Sequence, residues 1–423
     1  MPSNLAQLQR PPSSSTRPSR NAPKISEAAW VRLRKGRDLR QLRRQAQWML
    51  GTDPVQLGYS VDDAQDLSVD ELRELPLDRH RKCGRFPILP TGEVAIRTQR
   101  SKQHGRTVAH FSGLGTCGSV WMPCCAPKIL AGRADEVERA ITEHWRRGGE
   151  VLFFTGTMSH VEADSLADSF DALRDTFQDL TAGGWWTRFR KRWGVSGYIR
   201  AVEITRGGAG WHVHVHCLLF LCSSEEDYPA YIEGDLVGIQ CALFGRWAYI
   251  ARNRYGREVN IRHGLDLQLV TRGNATEVGH YVAKLEDGRS MALEMLRGDL
   301  KKGRLTGSIH PHELLDLVHD QDPGIRSEAR RLWREYERTV AGRRMMTWSH
   351  GLRASLLDSM TDLSDQELAE AEVGGVVVAL IPSDLWRQLR VVPGALGQLL
   401  RAAEDGGFAA IERLCVQLIA RPG

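Results

Sequence analysis

Three histidines alternate with apolar residues in Trp211-His212-Val213-His214-Val215-His216, and the run continues into Leu218, Leu219 and Phe220. Successive side chains of a strand point to opposite faces, so His212, His214 and His216 share one face while Val213, Val215 and Cys217 share the other. Imidazoles two residues apart on a common face can converge on a divalent ion. The same alternation also fits a half-buried strand with its polar side toward solvent, so the flanking segments decide its meaning.

Upstream, Val151-Leu152-Phe153-Phe154-Thr155-Gly156 is an apolar, β-favouring run that leads through Thr157 and Ser159 to His160. Downstream lies Glu277-Val278-Gly279-His280-Tyr281-Val282-Ala283-Lys284. In a helix, Glu277, Tyr281 and Lys284 fall at i, i+4 and i+7, on one stripe. A tyrosine is a weak nucleophile at neutral pH because its ordinary pKa is about 10. Lys284, one turn away, could favour the phenolate, while a bound metal could polarise a phosphate. Glu277, one turn before Tyr281, is spaced to act as a general base on water.

With these three motifs in this order, the chain resembles the rolling-circle replication initiators of plasmids, members of the HUH endonuclease superfamily. Those proteins carry an apolar-Thr strand, a His-hydrophobic-His strand and a Tyr-x-x-Lys helix. Arg81 to Arg85, Phe111 to Trp121, Gly210 to His212, Leu332 to Glu337 and Gly342 to Ser349 are similar to actinobacterial Rep proteins, so the likeness spans most of the chain beyond the first sixty residues. The resemblance implies an α+β fold with a central antiparallel sheet flanked by helices. It implies that His214 and His216 are the metal-binding pair, His212 an auxiliary group, and Glu203 on the neighbouring strand the carboxylate that joins them around Mg²⁺ or Mn²⁺. By residue chemistry alone, such a donor set also accepts Zn²⁺. Tyr281 becomes the nucleophile, Lys284 its cationic neighbour, and Glu277 the group that activates water in the terminating cleavage.

Four cysteines gather early, Cys83, Cys117, Cys124 and Cys125. Their segment is similar to a family stretch that usually holds a Cys-x-x-Cys pair, but Met122 stands at the expected first position and Cys124 adjoins Cys125. Four thiolates, or three with His80, could hold a structural Zn²⁺; reduced, partly buried cysteines are the alternative. Cys217, Cys222, Cys241 and Cys415 are expected in the core.

The chain has 423 residues, 42% of them apolar, enough for two or three domains with real cores. Net charge is only +5, but it is unevenly placed. Arg32, Arg34, Lys35, Arg37, Arg40, Arg43 and Arg44 crowd a basic helix from Trp30 to about Leu50 that has few apolar anchors. Arg188, Arg190, Lys191 and Arg192 follow Trp185 and Trp186, a mixture that can neutralise phosphates and stack on bases, or simply form a solvated face. No run approaches the roughly 20 apolar residues of a membrane span, and Pro11, Pro12 and Ser13 to Ser15 interrupt any leader-like start, so a cytoplasmic protein is expected.

Composition, together with what the resemblance implies, divides the chain into a basic, partly disordered arm (1–75), a Cys-rich candidate zinc module (76–135), an expected HUH endonuclease domain (136–300) and a mainly helical C-terminal region (301–423). Leu166, Phe170, Leu173, Phe177 and Leu180 form a helical stripe that Gly183-Gly184 should end. Tyr198 to Thr205 and His212 to Leu221 read as a hairpin, and Ser364 to Glu367 as a capping box whose short helix Gly374-Gly375 should close.

The expected activity is nicking and rejoining of plasmid origin DNA, single-stranded or extruded as a hairpin, through a 5′-phosphotyrosyl bond on Tyr281. Without a Gly-x-x-x-x-Gly-Lys phosphate loop, strand separation falls to a host helicase, and a host DNA polymerase extends the 3′-end. A transposase or relaxase of the same chemistry, and a non-catalytic DNA-binding regulator with structural histidines, are the alternatives.

Overall fold

Apolar residues with β-favouring side chains form eight strands among the described residues: β1 (Val94–Arg100), β2 (Thr107–Ser112), β3 (Glu150–Gly156), β4 (Val195–Gly207), β5 (Gly210–Leu221), β6 (Leu265–Val270), β7 (Met346–Trp348) and β8 (Val376–Ile381). The computed structural model describes residues 8–9, 27–51, 79–101, 105–222, 235–270, 309–357, 361–371 and 374–419. Glu277, Tyr281 and Lys284 lie outside them, as does most of the expected disordered arm. Two compact units emerge. One comprises Met1–Ile129, Val318–Asp320 and Leu363–Gly423, the other Leu130–Leu317 and Gln321–Asp362.

In the first unit, β1 lies between β2 and β8, antiparallel to both. Val94 and Ile96 of β1 join Ile381, Trp386, Leu389, Leu396 and Leu399 in a dry core, so the C-terminal residues complete a sheet begun near residue 94. The basic helix α1 (Glu27–Gly51) is well anchored here. Trp30 and Trp48 are buried, and Arg34 Nε lies 3.1 Å from Glu404 Oε2. Arg37 also pairs with Glu404, and Asp38 with Arg401. Two of the basic residues of this helix, Arg34 and Arg37, are thus held in an intramolecular ion-pair network.

The second unit is built on a five-stranded antiparallel sheet in the order β6-β3-β5-β4-β7. On one face, Val151, Phe153, Ile199, Leu218 and Phe220 meet Val137, Ala140 and Ile141 of α2 (Ala126–Arg146). On the other, Phe154 stacks on Phe177 of α3 (Leu166–Leu180) and meets Trp247 of a later helix edge-on. Burial on both faces explains why Leu218 to Leu221 are uniformly apolar. Nearer the hairpin the first face loses its apolar cover, and there the histidines begin.

β4 and β5 are joined by Gly208 and Ala209, with Gly207 paired to Gly210, which confirms the expected hairpin. Gly210 has φ +103°, and a Cβ there would sit 2.9 Å from Glu162 Cα, so both conformation and space require glycine. The α3 stripe is buried as expected, and Ser165 caps the helix by accepting from the Asp168 N–H at 3.1 Å. Gly183-Gly184 does not end α3, which stops at Leu180; Gly183, at φ +70°, instead opens α4 (Gly183–Trp193) after a change of direction. Likewise, the capping box of Ser364 and Glu367 is formed, but its helix α5 (Asp365–Glu370) ends before Gly374. Cys217 and Cys415 are buried, whereas Cys222, just past β5, and Cys241 are exposed, correcting the expectation that all four are core residues. Among the described residues, no helix is long and apolar enough to cross a membrane.

Candidate functional site

Register brings the candidate ligands together. Directly opposed residues of antiparallel strands share a face, and β5 sets His216 against Thr155 on one side and Ala201 on the other, with His214 opposite Glu203 and His212 opposite Thr205. Thus all three histidines, Glu203 and Thr155 project from one face.

His216 is held at both ring nitrogens. Its side chain is 8% exposed, its Nε2 lies 2.7 Å from Glu203 Oε2, and its Nδ1 lies 3.1 Å from Thr155 Oγ1. A carboxylate only accepts, so Nε2–H donates to Glu203; in the neutral ring, Nδ1 then accepts from the Thr155 hydroxyl. Phe153 lies parallel to the ring at 5.4 Å, leaving the imidazole little rotational freedom. The ring of His214 is 6.1 Å from that of His216 and 3.8 Å from that of His212.

His160 extends the row. Its ring stacks on His212 at 4.6 Å, so four imidazoles from a strand and a loop neighbour one another in succession. Burial, reinforced by the neighbouring His160, pushes His212 down to about 4, so its ring is neutral near pH 7 and can offer a lone pair. Sequence reasoning passed over His160, which stands in the quoted run after Thr155 but outside any strand periodicity, and Thr155 as a partner of His216. The described histidines and Glu203 do not bring three ligand atoms within 4.8 Å of one another. The set is a two-donor core, His216 and Glu203, flanked by His214.

Among the described residues, the group that does reach that closeness is Cys83, Cys117 and Cys125, all buried. Cys124 is not one of that mutually close group but lies beside it, with Sγ 2.6 Å from that of Cys83 and 4.0 Å from that of Cys125. The sulfurs are in hydrogen-bonding contact: contacts with Cys117, Cys124 and Cys83 hold Cys125 far below the ordinary thiol range, while the contact with Cys117 leads those that push Cys83 and Cys124 up. His80 lies outside this group; its Nε2 is 2.7 Å from Ser119 Oγ.

The basic residues Arg188, Arg190, Lys191 and Arg192 are exposed on α4. Trp185 and Trp186 both stack on Phe189, with Trp186 and Phe189 buried. Arg190 is partly committed to the fold, donating to the carbonyls of Val195 at 3.0 Å and Ser196 at 2.9 Å.

A model of the replication protein family matches residues 114–373. Over 330 residues the chain is 32% identical to "Protein rep" of Streptomyces lividans, covering 65% of this chain and 72% of that one. It is also 33% identical over 135 residues to a "Neomycin resistance protein" of Streptomyces cyanogenus, a match covering 26% of this chain and 31% of the other. No solved structure matches. The face that carries the histidines and the segment that carries the cysteines both fall largely within the matched residues, and the chain belongs to the replication protein family.

Proposed function

We propose that this protein initiates rolling-circle replication of a plasmid by nicking and later rejoining origin DNA, with an HUH-type sheet as its chemical platform. The observation that carries the reading is His216, fixed by Thr155 on one nitrogen and facing Glu203 with the other. Mixed nitrogen and oxygen donors suit Mn²⁺ or Mg²⁺, and His214 is the third candidate ligand. His216 would hold such an ion through Nε2 as its Nδ1–H tautomer, in which Thr155 would accept from Nδ1–H and still orient the ring. When bound, the ion would supply charge to polarise the scissile phosphate.

Tyr281 is the nucleophile in this reading. Its phenolate oxygen forms a bond to phosphorus, the bond from phosphorus to the 3′-oxygen breaks, and that oxygen takes up a proton. The 5′-phosphate stays on Tyr281 and the free 3′-hydroxyl primes synthesis by a host polymerase, with a host helicase separating the strands. Bond energy is conserved, so rejoining needs no nucleotide. Lys284 favours the phenolate, and Glu277 serves as general base for water in termination. The exposed basic residues of α4 bind phosphates of the origin. The four cysteines form a structural Zn²⁺ site separate from this chemistry.

The test is incubation of the full chain with supercoiled origin plasmid and Mn²⁺. Relaxed circles carrying covalently bound protein are expected. Tight origin binding with no nick under any divalent ion would favour a non-catalytic regulator.

A further inference from the structure

A guanidinium removed from water needs an anion nearby, and in the first unit Arg44 has no carboxylate partner among the described residues. It is 7% exposed. One terminal nitrogen donates to the Gly84 carbonyl and the other to Gln41 Oε1 at 3.3 Å, while Nε is buried without a partner. The indole of Trp48 lies 4.8 Å from its Cζ. Through Gly84 the guanidinium is held one residue from Cys83.

The backbone around Cys83 is shaped to receive this side chain. Arg44 and Trp48 stand one turn apart on α1; Trp48 Nε1 donates to the Cys83 carbonyl at 3.0 Å, and Arg44 takes the next carbonyl along. Gly84 has φ +64°, and a Cβ there would lie 2.9 Å from Arg44 Cζ and 3.0 Å from Nε. Glycine beside a cysteine thus admits the guanidinium.

We propose that Cys83, Cys117, Cys124 and Cys125 hold one zinc ion as a tetrathiolate and that Arg44 is its built-in counter-cation. This rests on reading the cysteines as a metal site. At Zn–S distances of about 2.3 Å the edges of a tetrahedron are about 3.8 Å. The Cys117–Cys125 and Cys124–Cys125 separations, 3.7 and 4.0 Å, are close to that; Cys83–Cys124 and Cys83–Cys125, at 2.6 and 3.2 Å, would open around the ion, and Cys124 would close on the other three. Zinc with four thiolates carries two net negative charges, which cannot be buried without compensation. Arg44 is a positioning residue that offsets the charge of the bound metal site.

The test compares full-length wild type, Arg44→Lys, Arg44→Met and Gly84→Ala by zinc content, by the chelator concentration that strips the metal, and by the thiolate-to-metal absorption of the Co²⁺ form. Wild type should hold about one zinc, with a four-sulfur Co²⁺ spectrum. Arg44→Met should release it at about tenfold lower chelator or less, Arg44→Lys should stay near wild type, and Gly84→Ala, which displaces the guanidinium, should follow Arg44→Met. Wild type without metal, its thiols simply paired with Arg44, overturns both the metal reading and the inference. Metal held equally by wild type, Arg44→Met and Gly84→Ala overturns the role of Arg44 alone, as does loss in Arg44→Lys equal to that in Arg44→Met. If Arg44→Met does not fold, Gly84→Ala against wild type decides. None of these readouts involves DNA cleavage, so they stand apart from the nicking assay.

Discussion

The histidines of β5 and the cysteines that follow α1 in the chain place ligand atoms by opposite means. On β5 the pleat does the work: a repeat of two puts imidazoles on one face, and cross-strand register adds Glu203 and Thr155. The result is partly exposed, mixed in donor type and incomplete as a cage, which suits the open site we propose. The cysteines come from turns and a helix start, are almost wholly buried, and offer sulfur alone. Closed sulfur sites suit structure, and open nitrogen-oxygen sites suit chemistry.

The contrast can be broken first at its strongest point. His216→Ala should lower metal-dependent nicking by about 10²-fold or more while leaving zinc content and melting temperature near wild type. His214→Ala should follow it, and His212→Ala should retain much of the activity. Should His212 prove the most sensitive of the three in a nicking time course, the assignment of the metal pair would be wrong. Cys125→Ser should do the reverse, losing zinc and lowering the melting temperature, since structural zinc supplies folding free energy; Cys415→Ser should keep the zinc. Calorimetry beside elemental analysis checks both, and an unchanged melting temperature in Cys125→Ser would remove the structural role.

A finer probe of the open site is Thr155→Val, which keeps the β-branched shape but deletes the hydroxyl that orients His216. About tenfold weaker Mn²⁺ activation is expected from a titration of nicking rate against metal. An unaltered activation curve would mean that Phe153 and Glu203 suffice to fix the ring.

The smallest effect concerns acid. Burial pushes His212 down to about 4, whereas the unfolded chain binds a proton near the ordinary 6.5. Between these values the unfolded state holds the extra proton, so this group's contribution to stability is full above about pH 6.5 and falls as pH drops toward 4. Melting temperatures from pH 7 to 4.5 should decline less steeply in His212→Gln than in wild type. Parallel declines would assign the acid sensitivity to other groups.

Much of the platform was legible from local pattern. The β4–β5 hairpin, the β3 run, the α3 stripe and the Ser364 capping box depend on neighbours in sequence, and each is where periodicity places it. What escaped depends on distant partners. His160 enters the histidine row by stacking on His212, a contact between a loop and a strand. The basic helix α1 lacked visible anchors because they are Glu404 and Asp405, near the other end of the sequence. Pairing of β1 with β8 joins residues that composition had assigned to a Cys-rich module and a helical tail. Similarly, Cys241 stands exposed because residue type alone does not say which side of a helix faces inward.

The central claim is that Tyr281 becomes bonded to the 5′-phosphate of the nicked origin strand. The direct measurement is mass spectrometry of peptides from protein incubated with an origin oligonucleotide and Mn²⁺, run beside Tyr281→Phe. The account predicts a nucleotide adduct on the peptide containing Tyr281 in wild type, with neither adduct nor nick in Tyr281→Phe and origin binding retained. An adduct on another residue, or nicking by Tyr281→Phe at the wild-type rate, would contradict it.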